Sequence, residues 1–155
     1  MLIYIIYILT IWGNYGINPL SYDKALNEIT KHEGFRSNVY TLNGYSYIGY
    51  GHLIKKYEHY TTIDSSEAKY IMNQDLLCNI DVIHKHTNLR GNKLLSVGML
   101  SYNIGSSKVK RYIQKGLLND YRKILSYNKF KYNGKVVTSN KLAKRRAYEY
   151  VLYNL

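Results

Sequence analysis

The segment from Glu33 to His52 constrains the fold of this chain more than any other. It reads EGFRSNVYTLNGYSYIGYGH, so glycines bound a run that is rich in aromatic residues. Because glycine ends helices and aromatic residues favour strands, we predict a helix that ends near Gly34, followed by a strand or hairpin over Tyr45 to Tyr50. Glu33 then lies on the last helical turn, where its carboxyl group can project into a cleft and act as an acid or a base.

The rest of the pattern predicts a mostly helical chain. Ser21 can cap the helix that ends near Gly34, and Asp64 with Glu67 has the form of a capping box that opens a second helix. Three further helices are predicted, at residues 93–102, 107–125 and 139–153. The predicted fold class is therefore α+β and mainly helical, with a small β-hairpin lobe and a larger helical lobe.

Length and composition indicate one domain without a bound cofactor. The chain has 155 residues, 46% of them hydrophobic, and it contains one proline and no Ser- or Gly-rich linker. A chain of this size can bury one proper core. The single cysteine, Cys78, excludes an internal disulfide and a cysteine-based zinc site. We predict neither a metal nor an organic cofactor, because four histidines lack ligand spacing: His52, His59, His84 and His86.

The first 20 residues differ from the rest of the chain. Of residues 1–12 only Thr10 is not apolar, and no charge precedes Asp23. The apolar run is too short for a dedicated membrane span, and it lacks the basic start and the small-residue cleavage site of a complete secretory signal. We interpret residues 1–20 as an export signal or a weak, transient membrane anchor and residues 21–155 as the folded domain. A buried N-terminal segment is the alternative.

Charge is distributed unevenly along the chain. Residues 1–81 contain six basic and eight acidic residues, whereas residues 82–155 contain sixteen and two, which gives a net charge of +12. A cationic half gains affinity for any polyanion, including nucleic acid, anionic lipid and the bacterial wall. Because no helix-turn-helix, zinc or RNP-type motif is present, we predict no specific nucleic-acid partner. We also expect the protein to be a monomer.

Asp75 breaks the apolar pattern of its own predicted helix. It has the helical spacing of Ile71, Met72 and Leu76, so it points partly toward the core. A carboxylate there needs a hydrogen-bonding or charged partner. We predict that His52, just beyond the hairpin, is this partner and that the pair joins the small lobe to the helical lobe. A solvated Asp75 is the alternative.

Four ordered segments carry a resemblance to a known family. They are EGFR at 33–36 with Tyr40 and IGYGH at 48–52, EA at 67–68 with NQDL at 73–76, LSYNIG at 100–105, and GK at 134–135 with RRAYE at 145–149. Together they closely resemble the phage-type lysozymes, the endolysins of the T4 and lambdoid-phage type in glycoside hydrolase family 24.

The resemblance implies a lysozyme-like catalytic domain. Its expected activity is that of a muramidase, which cleaves the β-1,4 bond between N-acetylmuramic acid and N-acetylglucosamine in bacterial peptidoglycan. This implies action in the bacterial cell envelope or periplasm, after export or release from the host cytoplasm, and lysis of the cell. Glu33 is the expected general acid, with Asn103 and Arg145 or Arg146 near it. The supporting residues implied are Arg36, His52, Asp75, Arg145 and Arg146.

This chain departs from the family at two catalytic positions. The family has an Asp, or sometimes a Cys, in the loop after the glutamate, where this chain has Thr41 or Leu42, and a Thr before IGYGH, where it has Tyr47 beside Ser46. Paired carboxylates therefore cannot be assembled from this loop. Either Thr41, Ser46 or Tyr47 orients water or stabilises charge beside Glu33, or a carboxylate arrives from elsewhere, or the chain binds glycan without cutting it. The carboxylates that we considered are Glu58, Asp64 and Asp120.

Aromatic residues also fit a sugar cleft. Their faces stack on pyranose rings, and their hydroxyl groups form hydrogen bonds at the rim. Tyr45 and Tyr47 of the hairpin are candidates for such contacts. The other predicted substrate-binding residues are Ser46, Tyr50, Tyr102, Asn103 and Tyr127.

Overall fold

The computed structural model describes residues 13–132 and 134–155. The main helices are α1 (Pro19–Glu33), α2 (Ser65–His84), α3 (Gly91–Ile104), α4 (Ser106–Gln114) and α5 (Asn140–Asn154). A three-stranded antiparallel sheet has the order β1 (Arg36–Leu42), β2 (Tyr45–Gly49) and β3 (His52–Leu53), and β4 (Lys129–Tyr132) pairs with β5 (Lys135–Thr138) in a separate hairpin. The predicted fold class, α+β and mainly helical with a small sheet lobe, is confirmed.

Helix α1 begins earlier than the sequence pattern indicates. Asn18 is its N-cap, and the side-chain oxygen accepts a hydrogen bond from the backbone N–H of Leu20 at 2.8 Å. Pro19 occupies the first position, where its missing N–H needs no partner. The prediction that Ser21 caps this helix is therefore wrong. The end of the helix agrees with the prediction, because Gly34 leaves the helix with φ of 74°.

The folded domain also includes part of the region interpreted as a leader. Ile17 is fully buried in the core, and the hydroxyl of Tyr15 donates a hydrogen bond to Asp81 Oδ1 on α2 at 3.3 Å. These contacts attach Tyr15 and Ile17, from the region predicted as a leader, to the folded domain. Residues 1–12 lie outside the described residues. Within the described part of the chain, the helices are too short or too polar to cross a membrane.

The hairpin of the small lobe forms at the glycine-rich segment. Asn43 and Gly44 connect β1 to β2 with φ angles of 51° and 80°, which suits a two-residue hairpin turn. In the register of these strands, Tyr40 lies opposite Tyr47 and Thr41 lies opposite Ser46. Because side chains alternate along a strand, Tyr40 and Tyr47 share one face of the sheet while the other pair occupies the opposite face.

Helix α3 is the centre of the helical lobe. All of its residues from Leu94 to Ser101 are buried, since it packs mainly against α2 and α5. Gly98 lets α2 approach closely, because a Cβ atom at this position would lie 2.5 Å from Ile80 Cγ1. The hydroxyl of Ser96 donates a hydrogen bond to the backbone carbonyl of Glu149 at 2.6 Å, which fixes α5 against α3.

The remaining helix predictions are confirmed in part. The helices predicted at 93–102 and 139–153 correspond to α3 and α5, and Asp64 caps α2 as expected, accepting hydrogen bonds from two backbone N–H groups at 2.8 Å. The single helix predicted at 107–125 is wrong. Helix α4 ends at Gln114, and Gly116 adopts a left-handed φ of 84° that stops it. Two short 3-10 helices follow, Leu117–Asn119 and Tyr121–Ser126.

Candidate active site

A cleft of about 750 Å³ lies between the small sheet and the helical lobe. Tyr40 and Tyr47 line it from the sheet, and Tyr102 and Asn103 line it from the end of α3. Glu33 lines it at the point where α1 ends. The volume falls in the range of clefts that bind small molecules or a few sugar units.

Glu33 is held in the cleft by an arginine. Its side chain is 24% exposed, and its Oε1 atom accepts a hydrogen bond from Nη1 of Arg145 on α5. The other oxygen, Oε2, faces Gly51, where an added Cβ atom would lie 3.6 Å away. Gly51 has φ of 87° and carries no side chain, so it leaves open the space in front of the acid. One side of the carboxyl group is therefore fixed and the other faces the cleft.

A buried charged network on α5 supports this arginine. Arg145, Arg146 and Glu149 are each at most 3% exposed. Glu149 contacts Arg146 Nη1 at 2.7 Å and Arg145 Nε at 3.4 Å, and Arg146 donates a hydrogen bond to the side-chain oxygen of Asn103. The structure thus places Arg145 against Glu33 and Arg146 against Asn103, whereas the sequence-based expectation is one of the two arginines near the acid. Sequence analysis gave no role to Glu149, although its spacing of three and four residues from the arginines is the signal for such contacts.

The sheet presents tyrosines to the cleft and no carboxylate. Tyr47 lines the cleft, and its ring stacks on that of Tyr40 with centroids 5.7 Å apart. Thr41 and Ser46 lie on the opposite face, so the predictions that they act on the substrate are not supported by their placement. Tyr40 lines the cleft although sequence analysis gave it no role, and strand alternation from Tyr47 is the signal that identifies it. Arg36 stacks its guanidinium 4.3 Å above the ring of Tyr40 and does not line the cleft.

His52 joins the sheet to α2, as the sequence predicts. Its Nδ1 lies 2.7 Å from Oδ2 of Asp75, and its Nε2 lies 3.0 Å from Oε2 of Glu58, a second partner that the sequence did not indicate. Burial by itself lowers the pKa of His52. The hydrogen bonds and negative charges of Asp75 and Glu58 outweigh burial, so the pKa of His52 is raised above its ordinary value.

Of the three remaining tyrosines discussed as sugar contacts, one is buried, one lines the cleft and one lines a neighbouring cavity. Tyr50 is 5% exposed and does not line the cleft; its carbonyl accepts a hydrogen bond from the Tyr102 hydroxyl at 2.7 Å. The prediction that Tyr50 contacts the substrate is therefore wrong, because this residue packs against α3 instead. Tyr102 lines the cleft, and burial raises the pKa of its hydroxyl. Tyr127 lies in a neighbouring cavity of about 230 Å³.

The three carboxylates considered as partners for Glu33 do not line the cleft. Glu58 binds His52 and the backbone N–H of Lys55, Asp64 caps α2, and Asp120 is exposed outside the cleft. Of the described residues, Glu33 and Asp75 are the carboxylates that line the cleft. No group of three or more potential metal ligands occurs within residues 13–132 and 134–155.

Comparison with known proteins identifies relatives of this chain. The family described as phage lysozyme matches residues 30–149. The structure is similar to the muramidase domain of SpmX from Asticaccaulis excentricus, with a TM-score of 0.69 and 20% identity over 85% of this chain and 95% of that chain. A comparison with curated protein sequences finds no match.

Two phage endolysins are also similar. The endolysin from Escherichia coli O157:H7 phage FAHEc1 has a TM-score of 0.63 and 25% identity over 84% of this chain and 90% of that chain. The active form of P1 phage endolysin Lyz has a TM-score of 0.62 and 18% identity over 96% of this chain and 91% of that chain. The family match runs from the last turn of α1 to Glu149 and so covers the elements that build the cleft. The chain therefore belongs to the phage lysozyme family.

Proposed function

We propose that Glu33 is the general acid with which this lysozyme-type glycoside hydrolase cleaves the β-1,4 bond between N-acetylmuramic acid and N-acetylglucosamine. The observation that carries the proposal is the two-sided environment of its carboxyl group. Arg145 fixes Oε1, while Oε2 faces the cleft across Gly51. A proton donor that is fixed on one side and open on the other can be aligned with a glycosidic oxygen in a bound polysaccharide.

The cleavage needs one proton and one water molecule. Protonated Glu33 gives its proton to the bridging oxygen as the bond from that oxygen to the anomeric carbon breaks. Water adds its oxygen to the anomeric carbon and releases a proton, so the carboxyl group can be restored. The new ends are a sugar hydroxyl on one side and a reducing N-acetylmuramic acid on the other.

In a paired-carboxylate enzyme, a second carboxylate acts as the base or the nucleophile. We assign this role to no carboxylate of the cleft in this chain. Asp75 lines the cleft, but its Oδ2 atom is bound to His52, so we assign Asp75 to holding the two lobes together. The hairpin offers the rings of Tyr40 and Tyr47, which suit stacking on sugar and alignment of water. Glu33 therefore acts without a second carboxylate from the hairpin.

Cleavage in water enriched in heavy oxygen tests this chemistry. A hydrolase leaves one labelled oxygen at each new reducing end, and mass analysis of the released fragments detects it. Glu33→Gln should lower the rate by about 10²–10⁴-fold, because a positioned general acid contributes about that factor. Glu28→Gln is the matched control, since Glu28 lies on the same helix and forms a surface pair with Lys31. Its rate should equal that of the wild-type protein.

Two results would contradict the proposal. Fragments with anhydro ends and no label would assign a lytic transglycosylase reaction instead. Binding to cell walls without release of fragments, with identical behaviour of Glu33→Gln and wild type, would favour the alternative of a glycan-binding protein without catalysis. The family assignment does not favour this alternative.

The substrate also sets the place of action, which is the bacterial cell wall. We propose that residues 1–12 provide the export signal or weak membrane anchor and that the domain acts as a monomer without a nucleic-acid partner. Cell fractionation of the full chain and of a chain that starts at residue 13 tests the first point. Equal distribution of the two chains between cytoplasm and envelope would show that residues 1–12 do not direct export.

A further inference from the structure

A second cavity of about 230 Å³ adjoins the cleft. It shares Asn103 and Ile104 with the cleft, so the two spaces adjoin each other at the end of α3. Its other walls include two lysines and two tyrosines: Lys108 and Tyr112 from α4, Tyr127 from the segment before β4, and Lys129 at the start of β4. We call these four residues the lysine-tyrosine subsite.

The subsite is cationic and has no acid of its own. No carboxylate lines the cavity, and neither Lys108 nor Lys129 forms an ion pair with any described residue. Of the two acids in residues 82–155, Glu149 is fully buried with the arginines and Asp120 does not line the cavity. The two ammonium groups are therefore available to an anion from outside the protein.

Two aromatic rings lie beside these lysines in the wall of the cavity. The rings of Tyr112 and Tyr127 have centroids 4.8 Å apart and are tilted by 38°. The ammonium group of Lys108 lies 5.9 Å from the centroid of the Tyr112 ring, within the distance of a cation–π contact, and both residues line the cavity. The volume is below the range of about 300–1,000 Å³ that holds drug-sized ligands, so it suits one acidic substituent better than a further sugar ring.

We propose that the lysine-tyrosine subsite binds an anionic group carried by the wall substrate, either a carboxylate or a phosphate, while the glycan lies in the cleft. The inference rests on the proposed function, because the glycan must occupy the cleft for its substituent to reach the cavity. Lysine suits this task, since its ammonium group is a point charge that accepts either anion without the fixed geometry of a guanidinium.

A binding experiment on uncut walls tests the subsite. In the Glu33→Gln background, Lys108→Gln with Lys129→Gln is compared with Lys115→Gln with Lys144→Gln, a control that removes two exposed charges from the same lobe outside the cavity. Sedimentation with intact walls measures the dissociation constant. The subsite pair should raise it about tenfold, since each lost charge contact is worth up to about 1 kcal/mol, and the control pair should change it less than about twofold.

Two treated substrates distinguish the sources of the anion. If the difference between the two pairs disappears on walls freed of phosphate polymers by hydrofluoric acid, the ligand is a phosphate. If it disappears only on glycan strands that an amidase has freed of peptide and whose exposed lactyl carboxyl groups have then been converted to amides, the ligand is a carboxylate. Three results would contradict the proposed subsite. Both pairs could weaken wall binding equally, neither pair could weaken it, or the difference between the pairs could persist on strands that lack both phosphate and carboxylate.

Cleavage is measured separately with Glu33 intact. The subsite pair should raise KM on intact walls, whereas the control pair should not. If the wild-type protein cleaves nothing, the proposed function fails, while the binding comparison still decides whether the subsite exists.

Discussion

The two walls of the cleft are built in opposite ways. On the helical wall, the acid is held by a charged partner, since Arg145 binds Glu33 and is itself buried against Glu149. On the hairpin wall, Tyr40 and Tyr47 present rings and no carboxylate. Charged groups fixed by partners keep one orientation, whereas stacked rings provide shape. This difference is the basis for our proposal that proton transfer belongs to the helical wall and that the hairpin wall holds and shapes the substrate.

The largest expected effect comes from breaking the network of the helical wall. Glu149→Gln removes the negative charge between Arg145 and Arg146 and leaves two buried cations without it. Loss of one partner from a buried ion pair typically costs about 3–5 kcal/mol of the free energy of unfolding. Because burial raises the pKa of Glu149 to about 7, urea denaturation at pH 8 to 9, where this carboxyl group is charged, measures the change.

The surface variant Glu28→Gln is the control for this experiment. Its pair with Lys31 is exposed and should contribute less than about 1 kcal/mol. If both variants lose the same stability, the buried network does not hold the helical wall, and the comparison between the walls loses its physical basis.

The next effect concerns the contacts of His52 with Asp75 and Glu58, where the sheet meets α2; we call these three residues the seam. Asp75→Asn removes one charge from the pair with His52, and a hydrogen bond between charged groups contributes about 1.5–3 kcal/mol. Because the pKa of His52 is raised on folding, this stability is fully present below the unfolded pKa of about 6.5 and is lost as pH rises through the folded value. Unfolding free energies measured from pH 5.5 to 9 should therefore fall with pH in the wild type and fall less in the variant.

Glu58→Gln provides the comparison within the seam. Its oxygen lies 3.0 Å from His52, against 2.7 Å for Asp75, so its loss should cost less. A wild-type stability that does not change over this pH range would mean that the charged form of His52 contributes nothing to holding the lobes together.

A third effect arises where the hairpin segment approaches the acid. Gly51→Ala places a methyl group in van der Waals contact with Glu33 Oε2, at 3.6 Å, and should lower activity about tenfold, because the methyl group occupies space in front of the acid and misplaces the bound substrate. Gly44→Ala is a matched control, since Gly44 also has a left-handed φ, of 80°, but has open space around it. Both variants should lose about 1–2 kcal/mol of stability from backbone strain. Equal loss of activity would show that the strain, and not the space before Glu33, is responsible.

The sequence predicts the helical wall better than the hairpin wall. Glu33 is identified because a glycine ends its helix, and Asp75 because a carboxylate at a core position needs a partner. Both signals are local and depend on burial or on helix ends. Glu149 has equally local spacing from the arginines, but hydrophobic periodicity gives no indication that its helix face is buried.

The hairpin wall depends on register, which the pattern around Thr41 does not specify. A shift of one residue moves every side chain to the other face. Comparison with a family position therefore selects Thr41, whereas the observed pairing places Tyr40 in the cleft.

The break at Gly116 and the β4–β5 hairpin are also not predicted from the sequence. Helical spacing continues through residues 107–125 in the sequence, and a single left-handed residue interrupts it in the structure.

The smallest expected effect tests the outer face of the hairpin wall. Thr41→Ala and Ser46→Ala remove hydroxyl groups that lie on the face turned away from the cleft, so each should change kcat/KM by less than about twofold. Tyr47→Ala, on the cleft face of β2, removes a stacking ring worth about 1 kcal/mol and should raise KM about fivefold with little change in kcat. Kinetics on soluble peptidoglycan fragments measure all three variants. A loss of kcat in Thr41→Ala as large as that in Glu33→Gln would return a catalytic role to the hairpin, and proton transfer would then not belong to the helical wall alone.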